Sequence, residues 1–355
     1  MRKTILPAVA FWAWAAMLPS AWPQEATSPM RTQEAKPPIR SEEAFKTSVS
    51  EVVVPVTVTD DKGRFVSNLD EKDFLLLDEG VPQKITYFTR ERNQPVVIGY
   101  LVDLSNRTRL HWDKFREAII ELVDATMEPD GKPDKRFSGY LIGYSTEAEL
   151  LVNTTDDPEK IIDRVRKLKP GGSSALFDAV YMACTSRTLV QGEPIEPRRV
   201  IVVVGDGSDT SSKKTLEEVV EIAQRNLVTI YGVSTVAFGF HSAGDANLKR
   251  LCESTGGRVV YPLENVYSDV SGYLSTPSDE GNFALKVGTG GYAAAIMRGI
   301  VNAIAATAGE ITTQYILRYT PSDLDTRRPF RRIEVRVNLP NVKVRAREGY
   351  YPFNP

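Results

Sequence analysis

Three short segments of this chain carry oxygen donors in a pattern that could hold a hard cation. Asp103-Leu104-Ser105-Asn106-Arg107 follows the apolar run Val96–Val102, Gly171-Gly172-Ser173-Ser174 precedes Ala175-Leu176, and Gly205-Asp206-Gly207-Ser208-Asp209 follows Val200–Val204. Carboxylates and hydroxyls without histidine or thiolate suit Mg²⁺, which prefers octahedral oxygens at roughly 2.0–2.1 Å and keeps positions open for water or a partner's ligand. The candidate donors are the carboxylates and hydroxyls of these three segments. An acidic group of a partner protein could complete such a shell. Taken singly, Asp103 or Ser105 reads as a helix N-cap and Asp206-Gly207 as a turn. The joint placement of all three segments at strand ends favours a site.

Other chemistries find little support. The 355 residues include two histidines, His111 and His241, and two cysteines, with no His-x-x-x-His or Cys-x-x-Cys spacing. There is no Gly-x-Ser-x-Gly elbow, no Ser-His-Asp pattern and no glycine-rich dinucleotide loop, so the expectation is a non-enzyme. Gly171-Gly172 lacks the Gly-Lys-Ser/Thr of a phosphate loop. Forty-four Lys+Arg against 46 Asp+Glu give a net charge of −2, which argues against a nucleic-acid partner held by charge. The basic run Arg327-Arg328-Pro329-Phe330-Arg331-Arg332 reads as a solvated turn and edge strand. Cys184 and Cys252 could form only one bridge, and buried free thiols are the favoured reading.

The elements that must position the site change character along the chain. Arg2 and Lys3 ahead of the apolar stretch Ile5–Leu18 read as a secretory signal over residues 1–23, too short to span a membrane, with a flexible linker over 24–48. This predicts an exported, periplasmic or cell-envelope protein with no membrane span in the mature chain. Residues 49–92 are strands without helices: Val52–Thr59, Phe74–Leu77 and Lys84–Phe88, broken by Asp60-Asp61-Lys62-Gly63 and Asp78-Glu79-Gly80. From Pro95 to Ile311 strands and helices alternate, the signature of a doubly wound, mostly parallel α/β domain, in which ligands sit outside the carboxyl ends of the strands at the topological switch point. Residues 312–355 return to strands. Because a short sheet cannot bury its face alone, the two flanks should pair into a composite antiparallel β module in which the α/β domain is inserted.

The Asp-x-Ser loop, the later serine and the third-loop aspartate resemble the metal-ion-dependent adhesion site of von Willebrand factor type A domains, over about residues 95–311. Flanking pieces such as Glu71-Lys72-Asp73-Phe74, Thr255-Gly256-Gly257-Arg258 and Arg347-Glu348-Gly349-Tyr350-Tyr351 resemble an exported bacterial branch of that family abundant in acidobacteria. The resemblance implies a protein-binding or adhesion-type module with a divalent cation. It also implies that Asp103 and Ser105 are first-loop metal ligands, that Ser174 replaces the usual Thr and keeps its hydroxyl, that Asp206 is the third-loop aspartate, and that Asp209 stands behind them as an acid outside the direct ligands. Arg107 stands where the pattern Asp-x-Ser-x-Ser has its second serine. A guanidinium there removes a hydroxyl ligand and repels a cation. Either Arg107 swings to solvent, with Thr108 or water supplying the oxygen, or it neutralises Asp103 and Asp206 and makes a metal-free scaffold.

Overall fold

The computed structural model describes residues 51–90, 95–129, 131–132, 134–185, 197–236, 243–262, 289–323 and 329–352. The expected signal and linker, over residues 1–48, lie outside these residues, as do His241 and the side chain of His111.

The central element is β5 (Val96–Asp103), all eight residues of which are buried. A strand buried on both faces must be apolar at every position, which explains why Val96–Val102 shows no alternation. It pairs in parallel with β6 (Phe137–Tyr144) on one side and β8 (Arg198–Gly205) on the other. Adding β7 (Ala148–Thr155), β9 (Thr229–Ser234) and β10 (Val259–Val260) gives the order β10-β9-β8-β5-β6-β7, with only β7 antiparallel. Ile98, Tyr100 and Val102 face a core shared with α1 (Trp112–Met127), α2 (Pro158–Arg166) and α6 (Thr289–Thr313). Val97 and Leu101 face a second core under α3 (Leu176–Thr185), α4 (Leu216–Arg225) and α5 (Ala243–Ser254). The helices obey their own rules: α1 buries Phe115, Ile119, Leu122 and Val123 at helical spacing, and Thr215 and Glu218 close a capping box on α4.

The flanking strands form two further four-stranded sheets. One runs β13 (Val342–Arg345), β1 (Val52–Asp60), β11 (Tyr315–Tyr319), β4 (Ile85–Thr89). The other runs β14 (Gly349–Tyr350), β12 (Arg331–Val337), β2 (Phe74–Asp78), β3 (Val81–Gln83). Val54, Val56 and Leu317 of the first meet Leu76 and Ile333 of the second in one core, so the module is a β-sandwich. The expected α/β domain set into a composite β module is therefore present. The insertion closes because β4, which leads into the α/β domain, and β11, which leaves it, are hydrogen-bonded neighbours with Ile316 opposite Thr89. Two strands, β3 and the two-residue β14, go unrecognised in the sequence: Pro82 disguises β3, and the Glu79-Gly80 turn, with φ of 52° and 80°, folds it back on β2.

Buried polar groups tie the flanks together. Asp78, fully buried, accepts from Arg331 Nε at 2.9 Å, Tyr319 Oη at 2.9 Å and Tyr350 Oη at 3.0 Å. On the α/β side, buried Glu310 of α6 pairs with Arg258 and, at 2.6 Å, with Arg345 of β13. Gln314 Nε2 donates to Thr57 at 3.0 Å and Tyr231 at 2.7 Å. Replacing Asp78 with Ala strands the buried Arg331 guanidinium and two hydroxyls. Urea unfolding should show a loss of about 3–5 kcal/mol, against less than about 1 kcal/mol for Asp163→Ala, which removes an exposed pair with Arg166. Equal losses would show that the Asp78 network does not hold the sandwich.

Candidate functional site

β5 lies beside β6 and β8 at the point where the strand order reverses, so the ends of β5 and β8 bound the crevice in which open α/β sheets place ligands. Asp103 is the last residue of β5 and Asp206 follows β8 directly. Gly205 makes their approach possible. A Cβ on Gly205 would overlap the Tyr144 hydroxyl and sit 2.9 Å from Asp103 Cβ and 3.3 Å from Asp103 Oδ2.

The first loop winds on its own side chains. Asp103 Oδ1 accepts from the Ser105 N–H at 2.7 Å, and Ser105 Oγ accepts from the Arg107 N–H at 3.3 Å, capping the 3₁₀ turn Asn106–His111. Thr108 Oγ1 donates to the carbonyls of Asp103 at 3.1 Å and Ser105 at 3.0 Å. The Thr108 hydroxyl hydrogen is thus given to the backbone, while its oxygen lone pairs stay available.

The other two loops converge on the first. Asn106 N–H donates to the Gly172 carbonyl at 3.0 Å. Ser174 Oγ donates to the Ser208 carbonyl at 2.7 Å, and its N–H donates to Thr210 Oγ1 at 3.0 Å. Asp206 Oδ1 accepts from Ser208 N–H at 2.9 Å, while Oδ2 accepts from Ser208 Oγ at 3.0 Å and from Arg107 Nε. Asp209 turns elsewhere: it accepts from Phe177 N–H at 2.9 Å and Ser212 Oγ at 2.5 Å, closing the first turn of α3. Hydrogen bonds thus join Asp103 to Ser105 on the first loop and tie Ser174 to the third loop, where Ser208 also binds Asp206, while Asp209 serves the helix. Sequence reasoning missed Tyr144, Ser208 and Thr210. Tyr144 reads only as the end of an apolar strand, and the two hydroxyl residues only as loop.

The electrostatics are those of two carboxylates in a dry crevice. Burial pushes the Asp103 carboxyl up to about 6, and the Asp206 charge adds to the rise against the Ser105 hydrogen bonds. Asp103 Oδ2 and the Tyr144 hydroxyl are both buried without a hydrogen-bond partner. Burial and the neighbouring aspartates raise the Tyr144 phenol well above its usual range. Arg107 is held more firmly charged by its bond to Asp206. Its side chain remains 55% exposed, and its terminal nitrogens have no partner among the described residues.

This donor set does not suit a divalent ion while Arg107 stays in place. Among the described residues no three His, Cys, Asp or Glu side chains gather as a metal-binding group. The Asp206 oxygens are both engaged, one of them by a permanent cation.

The von Willebrand factor type A domain family matches residues 98–270. No curated protein matches the sequence. Among solved structures, the chain is similar to proximal thread matrix protein 1 from the mussel byssus with a zinc-occupied MIDAS motif. The identity is 17% over 49% of this chain and 43% of that one, with a TM-score of 0.39. It is similar to the conserved hypothetical protein BatB from Bacteroides thetaiotaomicron at 14% identity, covering 57% of this chain and 99% of that one, with a TM-score of 0.36. A von Willebrand factor type A protein from Catenulispora acidiphila shares 9% identity over 84% of this chain and 73% of its own, with a TM-score of 0.43. This chain spans about half the length of the mussel protein.

The raised Asp103 carboxyl makes a signed prediction. Its folded value, about 6, exceeds the ordinary aspartate value of 3.8, so its contribution is most favourable below pH 4 and is lost as pH rises through 6. Compared with Asp103→Asn, the wild type should lose roughly 1–3 kcal/mol of relative stability between pH 4 and pH 7.5. A difference in urea unfolding that stays flat across this range rules out the buried, proton-bearing carboxyl.

Proposed function

Because residues 98–270 form a von Willebrand factor type A domain, we propose that this chain is a non-enzymatic protein-interaction module whose strand-end site works without a bound metal. The single observation behind this reading is the bond from Arg107 Nε to Asp206 Oδ2. It places a fixed positive charge where a cation would otherwise sit between the loops. Asp206 is neutralised by the guanidinium, and Asp103 by a proton as pH falls toward 6. The outward edge of Arg107 keeps donors for a partner, and guanidinium forks match carboxylates in two-point geometry. The partner class is accordingly a protein that presents an acidic group. The reading places the protein in an exported, cell-envelope setting, on the strength of the apolar stretch Ile5–Leu18 behind Arg2 and Lys3. Among the described residues no helix is long and apolar enough to cross a membrane.

A second reading rests on the orphaned Asp103 Oδ2. If Arg107 swings outward, that oxygen, Asp206, Ser105 and Ser174 become the ligands of a Mg²⁺-dependent site, and the partner's acid completes the metal's shell.

Thermal melting with EDTA, Mg²⁺ or Mn²⁺ separates the two. Under the metal-independent reading the wild type gains nothing, while Arg107→Ser gains about 2–3 kcal/mol at a metal concentration near 100 times Kd. The gain disappears in Arg107→Ser/Asp103→Ala. Equal gains in wild type and Arg107→Ser would overturn the metal-independent reading in favour of the second.

A further inference from the structure

Away from the strand-end edge, a groove of about 1080 Å³ runs between α4 and the β14-β12-β2-β3 sheet. It is larger than the roughly 300–1,000 Å³ of ordinary small-molecule clefts. Its floor is apolar: Leu216 and Val220, one turn apart on α4, face Ile333 of β12. Its walls are acidic. Glu217 and Glu221 form the adjacent stripe on α4, and Glu334 and Glu348 stand on the sheet side. With Glu79 at the hairpin, five glutamates line the groove, and four arginines stand in it or at its margins, Arg225, Arg250, Arg332 and Arg336, so the excess is one negative charge. Arg250 is already tied to Glu348 at 3.2 Å, and Arg225 and Arg336 pair with Glu221 and Glu334 from the groove's margins. Glu217 has no partner among the described residues.

One corner of this groove shows what it accepts. The Arg225 guanidinium lies 4.1 Å over the Tyr351 ring while pairing with Glu221 at 2.8 Å. A cationic side chain is thus seated between an aromatic face and a carboxylate, an arrangement worth more than either contact alone at a partly desolvated site. Phe330 packs edge-on against the same Tyr351 at 5.1 Å and lines the groove beside Glu334. It offers a second aromatic surface near an acid. The capping box on α4 and the Arg225 contact hold both walls in place before any ligand arrives, which lowers the ordering cost of binding.

We propose that this groove docks an extended, basic segment of a partner protein, with its Lys or Arg side chains on the glutamate walls and an apolar residue on the Leu216–Val220–Ile333 floor. It is a second interaction surface, separate from the Arg107 site, and does not depend on that site's metal or its acid-seeking chemistry.

The test is fluorescence anisotropy of the full chain with a labelled nine-residue peptide of alternating Arg and Leu, alongside its Glu/Leu counterpart, at low and high salt. The basic peptide should bind and weaken with salt, and the acidic one should not bind. Glu217→Gln/Glu334→Gln should lower affinity about fivefold, the size expected for two exposed charge contacts. Arg107→Ala, and the distant pair Glu121→Gln/Glu149→Gln, should leave affinity unchanged. Absence of binding, or equal weakening by the distant pair, overturns the groove. Loss of binding with Arg107→Ala moves the peptide to the strand-end edge and overturns it as well.

Discussion

Two buried carboxylates, Asp103 and Asp206, share one crevice at the end of β5 and β8, and neither can persist there as an uncompensated anion. Like charges in a medium less polarisable than water repel by several kcal/mol at a few ångströms, and an ionised carboxylate also loses its hydration. The structure resolves the problem unequally. Asp206 receives a guanidinium and two bonds from Ser208, whereas Asp103 keeps one oxygen without a partner and titrates near 6. The loops take their paths from this division. Arg107 reaches across from the first loop to the third, Ser174 locks the second to the third, and Gly205 leaves the space in which they meet.

The rest of the molecule ties that crevice to the sandwich. The α/β domain enters through β4 and leaves through β11, and these lie side by side. Immediately before β11, α6 carries Glu310, which pairs at once with Arg258 of the α/β domain and Arg345 of the sandwich. Gln314 bridges Thr57 and Tyr231 in the same way. A hinge needs a region where few contacts cross, and here the crossing contacts are buried, charged and reciprocal. Breaking one leaves an unpaired charge inside, which is costlier than the pair itself is favourable. These contacts join the α/β domain to the sandwich on the side of α6 and β13.

How much of this was readable in the residues follows from the range of each interaction. The uninterrupted Val96–Val102, the amphipathic Trp112–Met127 and the Gly-Asp-Gly after Val204 are local signals, and they placed the strands, the helices and the loops that carry Asp103, Ser105, Ser174 and Asp206. The bond from the Phe177 N–H to Asp209 spans 32 residues, and nothing local to Asp209 in the sequence records it. Strand β3 was hidden by Pro82, which an edge strand tolerates. The Asp78 network joins residues some 250 positions apart, and no periodicity records such a partnership. Arg107 was legible as a departure, but which of its two courses it takes depends on the distance between loops, a tertiary quantity.

Under the metal-independent reading proposed above, a guanidinium in the place of a metal alters what kind of recognition the site can perform. A divalent ion attracts a partner's carboxylate with a compact double charge and constrains it by coordination geometry, and its occupancy follows the supply of metal. A guanidinium carries one delocalised charge, constrains a carboxylate through two parallel N–H bonds and is present at every metal concentration. With more than half of the Arg107 side chain in solvent, such a contact is screened by salt and modest by itself. Strong adhesion through Arg107 alone is therefore physically implausible. Affinity must come from area around it or from a second surface, because two modest contacts on one chain reinforce each other through effective concentration whenever one partner can reach both. The strand-end edge and the α4 groove belong to one chain, so a partner long enough to reach both gains from that effect.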